Sequence, residues 1–176
     1  MADMCDGFDW KALGEQQWLA NAQDGYIEVM GDADNGLCTT LYRLVNKWLI
    51  LPQTQPSDIF MVIRCTSGAP GSFDIAKMMC GLPCRTEARR DAGSAGLSLF
   101  LAGEERLAQH RSKFTFHGNL YRFLQGDPSD MDRAAWFAER TKMDHEWWLD
   151  KARMDGLLEF GIDEALEWGV ATGIVE

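Results

Sequence analysis

Five consecutive apolar residues, Ile59-Phe60-Met61-Val62-Ile63, constrain the fold of this chain more than any other stretch. The run is far too short to span a membrane, and turn-forming residues bracket it: Pro52 and Pro56 before, Thr66-Ser67-Gly68-Ala69-Pro70-Gly71 after. It therefore reads as a strand covered on both faces. Ahead of it, Tyr26-Ile27-Glu28-Val29-Met30-Gly31 alternates as a strand does. Between the two, Leu37, Leu41, Leu44, Val45, Trp48 and Leu49 recur at three and four, the apolar face of a helix, with Asp34 or Asn35 as its cap. Strand, helix and buried strand make the unit of an α/β domain, and Phe73 to Met79 continue it as a short helix.

Charge and composition remove whole classes of function. A formal net charge of -10 offers no clustered Lys and Arg for a phosphate backbone, so nucleic acid is not an expected partner. Met1-Ala2-Asp3-Met4-Cys5-Asp6 has neither the basic nor the apolar region of a secretory signal, which points to a cytoplasmic protein with no membrane partner. The five cysteines, at 5, 38, 65, 80 and 84, lack zinc-site or redox spacing and read as small buried hydrophobes in a reducing compartment. No glycine-rich phosphate loop is present, and no cofactor is implied. With 176 residues, 46% of them hydrophobic, and no linker, the whole chain 1–176 reads as one domain. Within it, residues 1–25 form an N-terminal segment whose Phe8, Trp10 and Trp18 suit a docked helix or a subunit contact.

The chemistry concentrates in Asp91-Ala92-Gly93-Ser94-Ala95-Gly96 and the apolar run behind it. A serine framed by small residues at the start of a helix is built like a nucleophile elbow: a carbonyl can approach it, and the helix start favours developing negative charge. A serine hydroxyl needs a base, and histidine suits that transfer near neutral pH. Of the three histidines, His110 and His145 lie in polar segments, whereas His117 ends the alternating strand Lys113-Phe114-Thr115-Phe116.

The order serine, helix, Ala102-Gly103-Glu104, strand, histidine resembles the ClpP-like serine peptidases. So does the ending Asp163-Glu164-Ala165-Leu166-Glu167-Trp168-Gly169-Val170. The resemblance implies a ClpP/crotonase-type repeated β-β-α superhelix and a serine endopeptidase cleaving peptides or unfolded protein. It also implies a homo-oligomeric ring with an AAA+ unfoldase as partner. By the same resemblance Ser94 is the nucleophile and His117 the base, while the N–H groups of Gly68 and Ala95 form the oxyanion hole. Only Gly68 of Ile63-Arg64-Cys65-Thr66-Ser67-Gly68 matches the family's Ser-Pro-Gly-Gly turn.

The third triad member is where this sequence departs from the family. Ungapped spacing gives its position to Leu157; Asp155, two residues earlier, is the expected carboxylate, with Glu159 and Asp150 behind it. The approach to the serine, Arg85-Thr86-Glu87-Ala88-Arg89-Arg90-Asp91, is charged where the family is apolar, so it is expected at an exposed edge or in ion pairs. This oddity marks a divergent, phage-type member, with housekeeping proteolysis and capsid maturation both open as its role. Asp130 to Met154 reads as one long helix whose Trp136, Trp147 and Trp148 pack on the sheet or join subunits. Two rival readings stand beside the peptidase: a noncatalytic ClpP-like subunit without a working triad, and a crotonase-type acyl-CoA enzyme.

Overall fold

The computed structural model describes residues 10–118, 128–153 and 157–175. Helix α1 (Trp10–Gln23) leads into strand β1 (Tyr26–Ala33), and Trp18 docks on that strand by donating its indole N–H to the Glu28 carbonyl at 2.8 Å. Asp34 caps helix α2 (Asn35–Ile50), its carboxylate accepting the Leu37 N–H at 2.8 Å. The buried face of α2 carries Cys38, Leu41, Leu44, Val45 and Trp48, while Leu49 is exposed. Full burial of a side chain such as Leu41 contributes about 2 kcal/mol.

Strand β2 (Ile59–Gly68) is longer than the sequence indicates. Its pairing with β1 runs to Ala33 opposite Gly68, and the Ala69 N–H closes the ladder on the Ala33 carbonyl at 2.8 Å. Thr66-Ser67-Gly68 is therefore strand, and the turn begins only at Ala69-Pro70, ahead of helix α3 (Gly71–Met79). Strand β3 (Cys84–Gly93) then runs into helix α4 (Ala95–Leu101), followed by β4 (Glu105–Gln109) and β5 (Lys113–Phe116).

The sheet has the order β1-β2-β3-β4-β7, with β7 (Gly173–Val175) at its end. Strand β3 divides its partners: Arg85–Ala88 pair with β4, and Asp91–Gly93 pair with β5. All of these pairings are parallel, and β6 (Leu158–Phe160) joins β5 antiparallel. The arginine-rich strand is thus bonded to three others, and the expected exposed edge is corrected. Cys84, Thr86, Ala88 and Ala92 of β3 are buried, and the Thr86 hydroxyl donates to the Phe100 carbonyl of α4 at 2.7 Å. Of its charged residues, Arg85 pairs with Asp58 at 2.8 Å and Arg89 with Glu87 at 2.6 Å.

The expected long helix is two helices, α5 (Pro128–Arg140) and α6 (His145–Arg153). Asp144 breaks it, because its carboxylate caps α6 by accepting the Trp147 N–H at 2.8 Å. Trp136 and Trp148 are buried, joined through Phe137, Phe116 and Trp147 in edge-on and tilted contacts about 5 Å apart. These tryptophans are core. After β6, helix α7 (Ile162–Glu167) completes the described elements, none of whose helices is long and apolar enough to cross a membrane. Cys38, Cys65 and Cys84 are buried free thiols, and burial pushes Cys84 up to about 12.

Arg106 on β4 ties the chain's end to this frame. Buried to 8% exposure, it donates Nε to the Val170 carbonyl at 2.8 Å, Nη1 to Gly103 at 3.0 Å, and Nη2 to Gly169 at 2.9 Å and Arg140 at 3.0 Å. Burial, with the nearby Arg140 charge, lowers its pKa to about 10, which still leaves it cationic at neutral pH. Arg106→Met keeps the packing but strips donors from buried carbonyls, so it is expected to lower unfolding free energy by about 3–5 kcal/mol. Urea denaturation checks this; a loss under about 1 kcal/mol would mean water replaces the guanidinium.

Candidate active site

Ser94 occupies the bend between β3 and α4 with φ 51 and ψ -113. It is the one non-glycine residue with positive φ among the described residues. A side chain in this region is strained by about 1–3 kcal/mol, a cost that persists only where the surroundings enforce it. Here the Ser94 N–H is held by the Thr115 carbonyl at 2.9 Å, and its own carbonyl accepts the Ser98 N–H at 3.2 Å. The hydroxyl makes no capping bond to the helix, and the half-buried residue keeps it available.

The small neighbours have packing reasons of their own. A Cβ on Gly96 would penetrate the Cys65 carbonyl, so α4 rests directly on β2 there. One on Gly93 would come within 3.0 Å of Thr115 Cβ. A Cβ on Gly68 would lie 2.7 Å from both Ala95 Cβ and the Ala33 carbonyl, so the end of β2 packs directly against the start of α4.

His117 follows β5, two residues past the Thr115 that holds Ser94, so serine and histidine stand at the same end of neighbouring strands. Its Nδ1 lies 2.7 Å from the Gly118 carbonyl. A carbonyl can only accept, so this contact assigns the proton of a neutral ring to Nδ1 and leaves Nε2 as the basic nitrogen. The strand end is pinned twice more. Arg133 Nη1 on α5 donates to the His117 carbonyl at 3.1 Å, and a Cβ on Gly118 would penetrate the Ala152 carbonyl of α6. The sequence hides Arg133, because an arginine on an amphipathic helix reads as a solvated charge. No hydrogen bond joins Ser94 and His117 among the described residues.

Of the orienting acids, Asp155 lies outside the described residues. Leu157, at the ungapped position, is exposed. Glu159 is exposed on β6 opposite Thr115, and Asp150 is exposed and paired with Lys151 at 3.2 Å. Neither bonds His117. Among the described residues no cluster of three or more His, Cys, Asp or Glu could hold a metal ion.

No family model and no curated protein matches the sequence. Solved structures do. The chain is similar to a peptidase from Plasmodium falciparum, with a TM-score of 0.73 at 12% identity, covering 92% of this chain and 99% of that one. It is also similar to a ClpP1 variant from Listeria monocytogenes, with a TM-score of 0.72 at 16% identity, covering 92% and 95%. At these identities the likeness establishes the fold: an α/β, ClpP-like architecture, as the sequence resemblance implies.

Proposed function

We propose that this chain is a ClpP-like serine endopeptidase. Ser94 attacks the peptide carbonyl, Nε2 of His117 takes the hydroxyl proton and later gives it to the leaving amine, and the N–H groups of Gly68 and Ala95 receive the oxyanion. Asp155 orients the imidazole. The observation that carries this reading is the strained Ser94 backbone, because a fold keeps a positive-φ serine with an uncommitted hydroxyl only where something gains from it. In this reading the protein works in the cytoplasm as a homo-oligomeric ring on unfolded protein delivered by an AAA+ unfoldase, and the charges of β3 support a divergent, phage-type member.

A fluorophosphonate probe tests the reading directly, since it reacts with activated serines. Labelling is expected at Ser94 alone, located by peptide mass mapping, and an unlabelled folded protein would refute the peptidase. One observation favours the noncatalytic-subunit alternative: no described carboxylate bonds His117, whose Nδ1 is taken by a backbone carbonyl.

A further inference from the structure

On the sheet face away from α4, two neighbouring slips in strand pairing open a recess of about 360 Å³. Between β1 and β2, Gly31 pairs with Cys65 and Asp32 with Ser67, so Thr66 is unmatched; Gly31, at φ 71, allows the bend. Between β2 and β3, Ile63 pairs with Ala88 and Cys65 with Ala92, so Arg64 alone opposes Arg89, Arg90 and Asp91. Bulges re-aim side chains and gather beside active sites. The first slip reaches one residue short of Ser94, for Thr66 Cα lies 3.5 Å from where Gly93 would carry a Cβ.

The recess is lined by Arg64, Arg90, Thr66, Asp32 and Asp91, among others. On β3 and β4, Arg85 and Arg89 hold carboxylates and Arg106 holds carbonyls. Arg64 and Arg90 make no hydrogen bond or ion pair among the described residues, although Asp91 stands in the same recess. Asp32 is occupied with the Ser67 hydroxyl. On a chain of net charge -10, Arg64 and Arg90 leave two guanidiniums open in a recess whose other charges are the carboxylates of Asp32 and Asp91, so its lining is formally neutral yet has donors to spare for an added carboxylate.

We propose that this recess is a specificity pocket for an acidic side chain, in which Arg64 and Arg90 bind a Glu or Asp carboxylate of the peptide whose carbonyl lies at Ser94. The assignment rests on the peptidase reading. Guanidinium forks match a carboxylate in shape and charge, and Asp32 and Asp91 beside them repel a second acid, so the pocket takes one carboxylate rather than an acidic tract.

The test is binding, which separates it from catalysis. Full-length Ser94→Ala protein is titrated by fluorescence anisotropy with fluorescein-labelled peptides that differ only by Glu, Gln or Lys at one position, scanned along the peptide. At one position Glu is expected to bind about tenfold more tightly than Gln. Adding Arg64→Gln and Arg90→Gln is expected to erase that difference, and Arg90→Glu to turn the preference toward Lys, with thermal unfolding verifying that each variant is folded. Glu and Gln peptides binding alike at every position, or neither binding, would overturn the pocket, as would a Glu preference surviving the double substitution. Failure of the peptidase reading appears elsewhere, as an absence of fluorophosphonate labelling in protein that retains Ser94.

Discussion

Ser94→Ala is expected to abolish peptide hydrolysis and fluorophosphonate labelling while leaving the unfolding midpoint nearly unchanged. The hydroxyl caps nothing, so its removal breaks no capping bond of the fold, and alanine shares the strained backbone. Ser94→Gly gives the companion result. Glycine adopts φ 51 without a Cβ penalty, so the variant should be equally inactive yet more stable by about 1 kcal/mol in urea. Together the two separate the strain from the chemistry it serves. Undiminished turnover in either protein would end the serine mechanism.

The second large effect concerns the carboxylate. On the proposed mechanism, Asp155→Asn should leave a folded protein with turnover reduced by a factor on the order of 10⁴, as expected for loss of the carboxylate that orients the imidazole. Glu159→Gln and Asp150→Asn should change turnover little, since one side chain is exposed on β6 and the other is exposed and paired with Lys151. The experiment is discriminating because the Gly118 carbonyl already holds Nδ1 at 2.7 Å. Were that carbonyl enough to orient the ring, Asp155→Asn would cost about 1 kcal/mol of stability, as a lost turn or cap does, and leave turnover intact. Steady-state kinetics on one fluorogenic peptide distinguishes the outcomes.

What the sequence made legible is what local patterning controls. The apolar run at 59–63 and the spacing from Leu37 to Trp48 are core faces, and they lie in β2 and α2 as burial demands. Patterning misled where a competing interaction decided the matter. Periodicity runs unbroken through 141–144, yet the carboxylate of Asp144 caps a new helix there. The charges of β3 leave both an exposed edge and ion pairs open, because a central strand ought to be apolar, and the ion pairs are what forms. This one solves the problem laterally, by pairing Arg85 with Asp58 and Arg89 with Glu87. At the site, the small residues around Ser94 are visible in sequence, but their meaning is mixed: Gly96 is required by contact with Cys65, whatever approaches the serine. The His117 partners Gly118 and Arg133 were illegible, because one acts through its carbonyl and the other arrives from a helix 16 residues on.

The divided pairing of β3 has a consequence for how the molecule breathes. Edge strands fray first, and the amides of a strand bonded on both flanks exchange with solvent only through larger openings. Ser94 leaves the sheet from such a strand, with Cys65 paired to Ala92 on one side and Thr115 holding its N–H on the other. Its strained backbone therefore cannot relax by local peeling, and the Ser94 amide should be among the last to exchange deuterium. The bend that makes the serine costly is clamped at the part of the sheet slowest to open, so its strain is held in place through local fluctuations.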